Sequence, residues 1–322
     1  MIIVTGGAGF IGSAFIAKLN EEGISDIVIV DKLRSGEKWK NLVGKKYIDF
    51  IDKEDFWPLL DTGMFDSAEA VVHLGACSAT TERDGDYLMD NNFYYSRELA
   101  EWALAKKIRF IYASSAAVYG DGKLGYSDAD ELTGKLKPLN MYGYSKQLMD
   151  NWVIDNELQD DVVGFRFFNV FGPNEYHKGN MMSVVAKSFK QVQESGRVTL
   201  FNSPNPDFED GMQMRDFVYV KDVVEVIYWF LQNPQSNGIF NLGTGQANTF
   251  MDLVKAVFKA LDKEAKIDIV EMPEELRGKY QYYTQAEMQK LVDAGCSIGF
   301  SSLEDSVADY VKNYLIEDLK HY

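Results

Sequence analysis

Met1-Ile-Ile-Val-Thr-Gly-Gly-Ala-Gly-Phe-Ile-Gly12 is the stretch that decides the fold. Its opening residues read as a short buried strand. Glycines follow at once at Gly6, Gly9 and Gly12, a G-x-x-G-x-x-G spacing rather than G-x-G-x-x-G. They serve three physical needs, namely a tight turn, close backbone approach to a pyrophosphate, and close contact of helix on strand. A helix through Ser13-Ala-Phe-Ile-Ala-Lys-Leu19 then aims its N-terminal dipole at the phosphates. Ile27-Val-Ile-Val30 is a second strand ending in Asp31, nineteen residues after Gly12, where an acid reaches an adenosine ribose. The competing reading is a glycine-rich turn that binds nothing. Strand, helix, strand and acid in register argue against it.

Moving outward, the loop Lys32-Leu-Arg-Ser-Gly-Glu-Lys38 offers Lys32, Arg34 and Lys38 to a 2′-phosphate that Asp31 alone would repel; each can equally be a solvated cation. Tyr47-Ile-Asp-Phe-Ile51 reads as a third strand, with Asp52-Lys-Glu-Asp-Phe56 opening a helix. Ala70-Val-Val-His-Leu-Gly-Ala76 is a fourth strand whose small-residue end lies against the ligand. A polar helix from Tyr87 to Lys106 returns the chain to a fifth, Ile108-Arg-Phe-Ile-Tyr-Ala113. This alternation predicts an α/β fold, a doubly wound parallel sheet of the Rossmann kind, with ligands at the carboxyl ends of the strands.

The whole chain sets bounds. Its 322 residues can hold one large domain or two, and 46% apolar with 25% charged residues is ordinary for a soluble globular protein. A net charge of -16 argues against nucleic acid and anionic membrane as partners, while leaving local cationic clusters free to bind anions. Cys77 and Cys296 form no disulfide framework and no metal spacing; buried thiols in a reduced, cytoplasmic compartment are expected. The first strand starts at residue two, so no signal peptide is expected, and no apolar run is long enough to span a bilayer.

Further along, Tyr142-Gly-Tyr-Ser-Lys146 places Tyr142 and Lys146 one helical turn apart on one face. A phenol is a poor base at neutral pH, and a neighbouring ammonium is expected to lower its pKa. The pair alone is a weak signal, but the fifth strand runs into Ser114-Ser-Ala-Ala-Val-Tyr-Gly120, completing a Ser-Tyr-Lys set. In such a set serine orients a substrate hydroxyl, tyrosine takes its proton, and lysine holds the cofactor ribose.

With the glycine fingerprint, this arrangement resembles the extended short-chain dehydrogenase/reductase superfamily. The resemblance makes Ser115, directly before Ala-Ala-Val-Tyr-Gly, the catalytic serine. Sugar-nucleotide dehydratases of the superfamily carry an Asp-Glu pair where this chain has Ala116 and Ala117, and two alanines supply neither acid nor base. Asp161-Val-Val-Gly-Phe-Arg-Phe-Phe-Asn-Val-Phe-Gly-Pro173 reads as a sixth strand and a superfamily landmark. Gly75-Ala-Cys-Ser78, Met89-Asp-Asn-Asn92, His177-Lys-Gly179, Leu276-Arg-Gly-Lys-Tyr-Gln281 and Tyr280-Gln-x-x-Thr-Gln285 narrow the match over essentially the full chain. They closely resemble the ADP-L-glycero-D-manno-heptose 6-epimerase family.

That resemblance implies inversion of carbon 6″ of ADP-heptose, for lipopolysaccharide inner-core synthesis, by transient oxidation with bound NADP+ to a ketone and re-reduction on its other face. It implies a second base/acid, Lys178, opposite Tyr142; the residues alone allow an ordinary loop cation or a phosphate contact there. Cofactor contacts carried over are Gly6, Gly9, Phe10, Ile11, Gly12, Asp31, Lys32, Lys38, Lys53, Leu74, Gly75, Ala76, Cys77, Ser78, Asn91, Lys146, Val170 and Lys178. Substrate contacts carried over are Ser115, Asn169, Asn180, Lys187, Phe201, Arg215 and Tyr280. Lys32 and Asn180 stand where relatives often carry other polar residues, and the loop Asn202–Gln213 is longer than usual. The family also implies a ring-like homo-oligomer, a pentamer.

Two interleaved domains are expected: residues 1–172 with about 213–242 for NADP, and about 173–212 with 243–322, a smaller α/β unit, for substrate. Asp216-Phe-Val-Tyr-Val220 and Gly238-Ile-Phe-Asn-Leu242 are read as pieces returning to the sheet domain. Helix Asp222 to Leu231 is read as core. A UDP-hexose 4-epimerase would share Ser115, Tyr142 and Lys146 but not His177-Lys178-Gly179 with Tyr280-Gln281. A non-catalytic dinucleotide sensor of this fold would typically lack the Tyr/Lys pair.

Overall fold

The computed structural model describes residues 1–274 and 280–322; residues 276–279 of the Leu276–Gln281 motif lie outside the described residues. The strands are β1 (Ile2–Thr5), β2 (Ile27–Asp31), β3 (Asp49–Asp52), β4 (Ala70–His73), β5 (Arg109–Ser115) and β6 (Val162–Phe167). There follow β7 (Asn169–Phe171), β8 (Val198–Phe201), β9 (Met214–Tyr219), β10 (Gly238–Leu242), β11 (Ala247–Thr249) and β12 (Ile267–Val270). Seven of them form one parallel sheet in the order β10-β6-β5-β4-β1-β2-β3. The crossing from β3-β2-β1 to β4-β5-β6 is the reversal of strand order at which such sheets bind ligands.

Parallel strands bury both faces, and β1 shows how the sequence does it. Ile2 and Val4 point into a core shared with Phe15, Ile16 and Leu19, whereas Ile3 points to the other side, with Val28, Val71 and Phe110. Helices cover both layers: α1 (Phe10–Glu21), α2 (Lys53–Asp61), α3 (Gly85–Leu88), α4 (Tyr95–Ala105), α5 (Met141–Asp155), α6 (Val184–Ser195), α7 (Val220–Gln232) and α8 (Phe250–Ala260). α7 buries Val223, Ile227 and Phe230 in the same core as α1, and Lys18 pairs with Glu225 across the two at 2.7 Å. Its assignment as core holds.

The structure differs from the sequence expectation in several places. β3 begins at Asp49; Tyr47 and Ile48 before it are exposed, though the Ile48 amide donates to the Ile27 carbonyl of β2 at 2.8 Å. β4 stops at His73, and Leu74–Ala76 leave the sheet as a wall, though the Leu74 amide still donates to Thr5 at 3.1 Å. The expected helix Tyr87–Lys106 is broken by a π-turn at Met89–Tyr94, between α3 and α4. β10 joins the main sheet beside β6 as expected. The segment Asp216–Val220 lies largely in β9, which pairs with β7 and with β11 in a separate three-stranded sheet. A further two-stranded sheet pairs β8 with β12 in parallel.

Candidate active site

Gly6 sits at φ 67, the left-handed region glycine tolerates, and a Cβ there would lie 2.6 Å from the Gly75 Cα. A Cβ on Gly12 would lie 2.2 Å from the Gly6 carbonyl oxygen. The turn, the start of α1 and the Leu74–Ser78 wall can therefore meet only as bare backbone. Gly9 caps α1 without a side-chain hydrogen bond, so the first amides of the helix remain available to an anion.

Asp31, 8% exposed, is fully engaged. It accepts from the Ala8 amide at 2.9 Å and the Lys32 amide at 2.7 Å, and it pairs with Lys38. The acid thus pins the glycine turn while Lys38 neutralises it. Lys32 pairs with Glu54, Arg34 donates to the Tyr87 hydroxyl, and Lys53 bonds Asn91 while lying 4.9 Å from the Tyr95 ring centre. Burial, then the charges of Lys32 and Arg34, push the Lys53 ammonium pKa down. Next to it the buried Tyr95 hydroxyl has no hydrogen-bond partner among the described residues. A bare-backbone cradle, an uncapped helix start, gathered cations and an orphaned hydroxyl fit a nicotinamide dinucleotide.

Helix α5, which carries Tyr142 and Lys146, is capped by Asn140, which accepts the Gly143 amide at 2.8 Å. Gly143 lets it close on the turn after β5: a Cβ would lie 2.7 Å from the Ala117 carbonyl oxygen. This brings Tyr142 beside Ser115. Burial raises the Tyr142 pKa and the Ser115 hydroxyl opposes it. The two strand-end serines divide their work. Ser114 donates to Asp150 at 2.9 Å inside the core; Ser115 accepts the Ala117 amide at 3.1 Å and faces Tyr142. Lys146, 3% exposed, donates to the Ala113 carbonyl at 2.8 Å, and burial pushes its pKa down to about 8. The expected lowering of the tyrosine by this lysine is absent here, because the ammonium is turned to a strand carbonyl.

Across the site, Lys178 follows Asn174 in a short helical turn, Tyr176–Met181. Its ammonium lies 5.3 Å from the Phe10 ring centre and forms no ion pair with a described residue. Burial lowers its pKa, Glu175 opposes that, and Lys187 adds to it. Arg215 is 7% exposed and, among the described residues, bonds only the carbonyl of Met214, with its guanidinium 5.0 Å from the Tyr280 ring centre and 5.6 Å from that of Phe250. A buried guanidinium lacking a carboxylate among the described residues is costly unless an anion completes it. Lys187 donates to the Asn180 carbonyl at 2.7 Å, and Asn169, Asn180 and Phe201 are exposed. A cavity of about 380 Å³ lined by Tyr126, Asn205, Phe208, Tyr280 and Tyr282 adjoins Arg215 through Tyr280, using residues of the long loop.

Sequence reading missed the supports. His73 is 1% exposed, with Nδ1 2.6 Å from Thr5 Oγ1 and Nε2 2.8 Å from Ser96 Oγ; burial drives its pKa down to about 3. Ser96 donates to the Asn92 carbonyl, so Nε2 carries the proton and the ring is neutral. Fully buried Asn92 bonds both the amide and carbonyl of Cys77, at 2.8 Å and 3.0 Å, and Ser145 at 3.0 Å. It fastens the wall to α5. The motif Met89–Asn92 held the signal, but the partners lie far away in sequence.

The NAD dependent epimerase/dehydratase family matches residues 2–243. The ADP-L-glycero-D-manno-heptose-6-epimerase of Nitratidesulfovibrio vulgaris (strain DP4) is 57% identical over 316 residues, covering 98% of each chain. That of Fusobacterium nucleatum is 52% identical over 329 residues, covering 99% of each. Among solved structures, the ADP-L-glycero-D-manno-heptose-6-epimerase of Helicobacter pylori matches with TM-score 0.79 at 30% identity, over 97% of this chain and 95% of that one.

Proposed function

The chain belongs to the NAD-dependent epimerase/dehydratase family and, through its full-length relatives, to the ADP-L-glycero-D-manno-heptose-6-epimerases, and we propose that it inverts carbon 6″ of ADP-D-glycero-D-manno-heptose. That carbon is a secondary alcohol with no acidic proton, so inversion needs a planar ketone whose other face is then reduced. A bound nicotinamide dinucleotide supplies the hydride acceptance and return. The Gly6–Gly12 turn, the start of α1, Asp31, Lys38, Lys53, Asn91, the Leu74–Ser78 wall and Val170 would hold it, and Lys146 would hold its ribose.

Ser115 orients the substrate hydroxyl and Tyr142 exchanges its proton. Because the side chain must present either face, a second proton-transfer group has to stand elsewhere, and Lys178 fills that role. The observation that carries the reading is the state of Lys178: a half-buried amine on a separate loop, 5.3 Å from the Phe10 ring centre, without an ion pair among the described residues and with its pKa lowered by partial burial. A neutral amine is a competent base, a fully charged one is not. Arg215 completes the substrate diphosphate, with Asn169, Asn180, Lys187, Phe201 and Tyr280 around it. Ala116 and Ala117 supply no acid or base for dehydration.

NADP is the proposed cofactor: Lys38 offsets Asp31, and Lys32, Arg34 and Lys53 gather beside it. Residues 1–172 with about 213–242 would form the cofactor domain and the remainder the substrate domain. A cytoplasmic homo-oligomer serving lipopolysaccharide inner-core synthesis completes the reading. The test is to incubate purified protein, without added reductant, with ADP-D-glycero-D-manno-heptose and in parallel with UDP-galactose, separating epimers and identifying the dinucleotide released on denaturation. Conversion of the heptose alone with NADP released supports the proposal; conversion of UDP-galactose alone overturns the substrate.

A further inference from the structure

The last residues of the chain lie against the back of both nucleotide-facing loops. Asn41, 1% exposed, donates to the Ala8 carbonyl in the glycine turn at 2.9 Å and to the Asn174 carbonyl at 3.1 Å. The same amide nitrogen lies 3.3 Å from His177 Nδ1, and the Asn41 oxygen accepts from His321 Nδ1 at 2.8 Å. Asn174 is fully buried in the left-handed region, φ 77, which asparagine adopts more readily than most residues. Its amide donates to Ser13 Oγ at 3.0 Å and to the Tyr322 carbonyl oxygen at 3.1 Å, and its oxygen accepts the Tyr322 amide at 2.8 Å. Tyr176 donates to the Lys320 carbonyl at 2.8 Å and packs edge-on against the His321 ring, 5.2 Å between centres.

We infer that residues 320–322 are a strap, and that Asn41 and Asn174 are positioning residues through which it holds the Lys178 loop against the glycine-rich turn. The inference rests on the role given to Lys178 under Proposed function. Every side-chain hydrogen-bonding atom of both asparagines is used, and every bond joins segments distant in sequence: the turn at residue 8, α1, the Lys178 loop and the strap. No such set of bonds is needed to form any one of these segments. What it fixes is their mutual distance, and with it the placement of Lys178 over Phe10. The charged groups facing Lys178 are Glu175 of its own loop and Lys187 of α6, with Phe10 the neighbour from α1; Lys38 and Asp31 face the adjacent His177 instead. Releasing the strap would let water reach the Lys178 amine and return its pKa toward the ordinary value, while Tyr142 and Ser115, on α5 and β5, stay in place.

The test is Asn174→Gly in the full-length protein, because glycine keeps the left-handed backbone and removes only the amide. Its kcat should fall about tenfold, with KM nearly unchanged, since misplacing a reacting group by a fraction of an ångström costs rate before binding. The limb of the kcat–pH profile governed by Lys178 should move to higher pH, and amide exchange in residues 174–182 should quicken. His321→Ala, which removes one strap bond and leaves the Asn174 backbone alone, should show the same changes in smaller measure. Wild-type kcat and an unmoved pH limb in both variants would overturn the inference, as would a rate loss that follows a fall in Tm with no shift of the limb. Lys178→Met separates the two readings. If it turns over at the wild-type rate, the role of Lys178 fails; if it is inactive while both strap variants behave as wild type, only the strap fails.

Discussion

The Lys146 ammonium lies 2.8 Å from the carbonyl oxygen of Ala113, three residues short of the turn that carries Ala116. A lysine fastened to a strand is a fixed point for a cofactor ribose. Its burial pushes its pKa down to about 8 from the ordinary 10.5, which makes the stability of the fold depend on pH. Between those values the unfolded chain binds the proton and the folded one does not. The contribution of Lys146 to stability therefore rises with pH from about 8 to 10.5. Thermal melts of the cofactor-free protein across that window should show an upward component that Lys146→Met lacks; identical slopes would contradict the assignment.

Asp150 and Arg166 are both fully buried and bonded at 2.9 Å, with Tyr112 and Ser114 also on the carboxylate and Thr133 and Tyr119 on the guanidinium. This network ties α5 to β5 and β6 directly behind Tyr142. Asp150→Ala leaves a buried, unpaired guanidinium and should cost about 3–5 kcal/mol in denaturant unfolding. A loss below about 1 kcal/mol would mean that the pair is dispensable.

Much of this was legible in sequence. The glycine turn, Asp31 and the strands of the first half are set by local spacing, so β1, β2 and β5 fall where apolar runs and turn residues put them. The supports of the site are set by long-range pairing, which no local pattern encodes. His73 looks like one more strand residue until Thr5 and Ser96 close on it. Asn92 depends on a π-turn, and β9 pairs away from the main sheet because β7 and β11 offer it partners. The direction of Lys146 is likewise a property of the folded β5.

Arg215 has no carboxylate partner among the described residues, so its charge is open to an anion. Arg215→Met should raise KM for the nucleotide sugar about 10–100-fold, as expected for losing a charge-assisted bidentate contact, and leave cofactor retention unchanged. Loss of cofactor with unchanged KM would move Arg215 to the other ligand.

Lys38 pairs with Asp31 at the end of β2. Lys38→Glu should weaken NADP more than NAD in titrations of cofactor-stripped protein. Equal weakening of both would count against a 2′-phosphate at this position.

Tyr142→Phe keeps the ring and removes the exchangeable proton. Turnover should fall by about three orders of magnitude or more, toward the upper end of what general acid–base catalysis contributes, with Tm and bound cofactor retained. Near-normal turnover would exclude Tyr142 as the proton-transfer group.

The most direct measurement is to run the epimerisation of ADP-D-glycero-D-manno-heptose in D₂O and examine carbon 6″ of the product by NMR. Oxidation and re-reduction return the same hydrogen to that carbon, so inverted product with no deuterium at carbon 6″ is predicted. Deuterium at that position would show that the hydrogen exchanges with solvent and would contradict hydride return as the route to inversion.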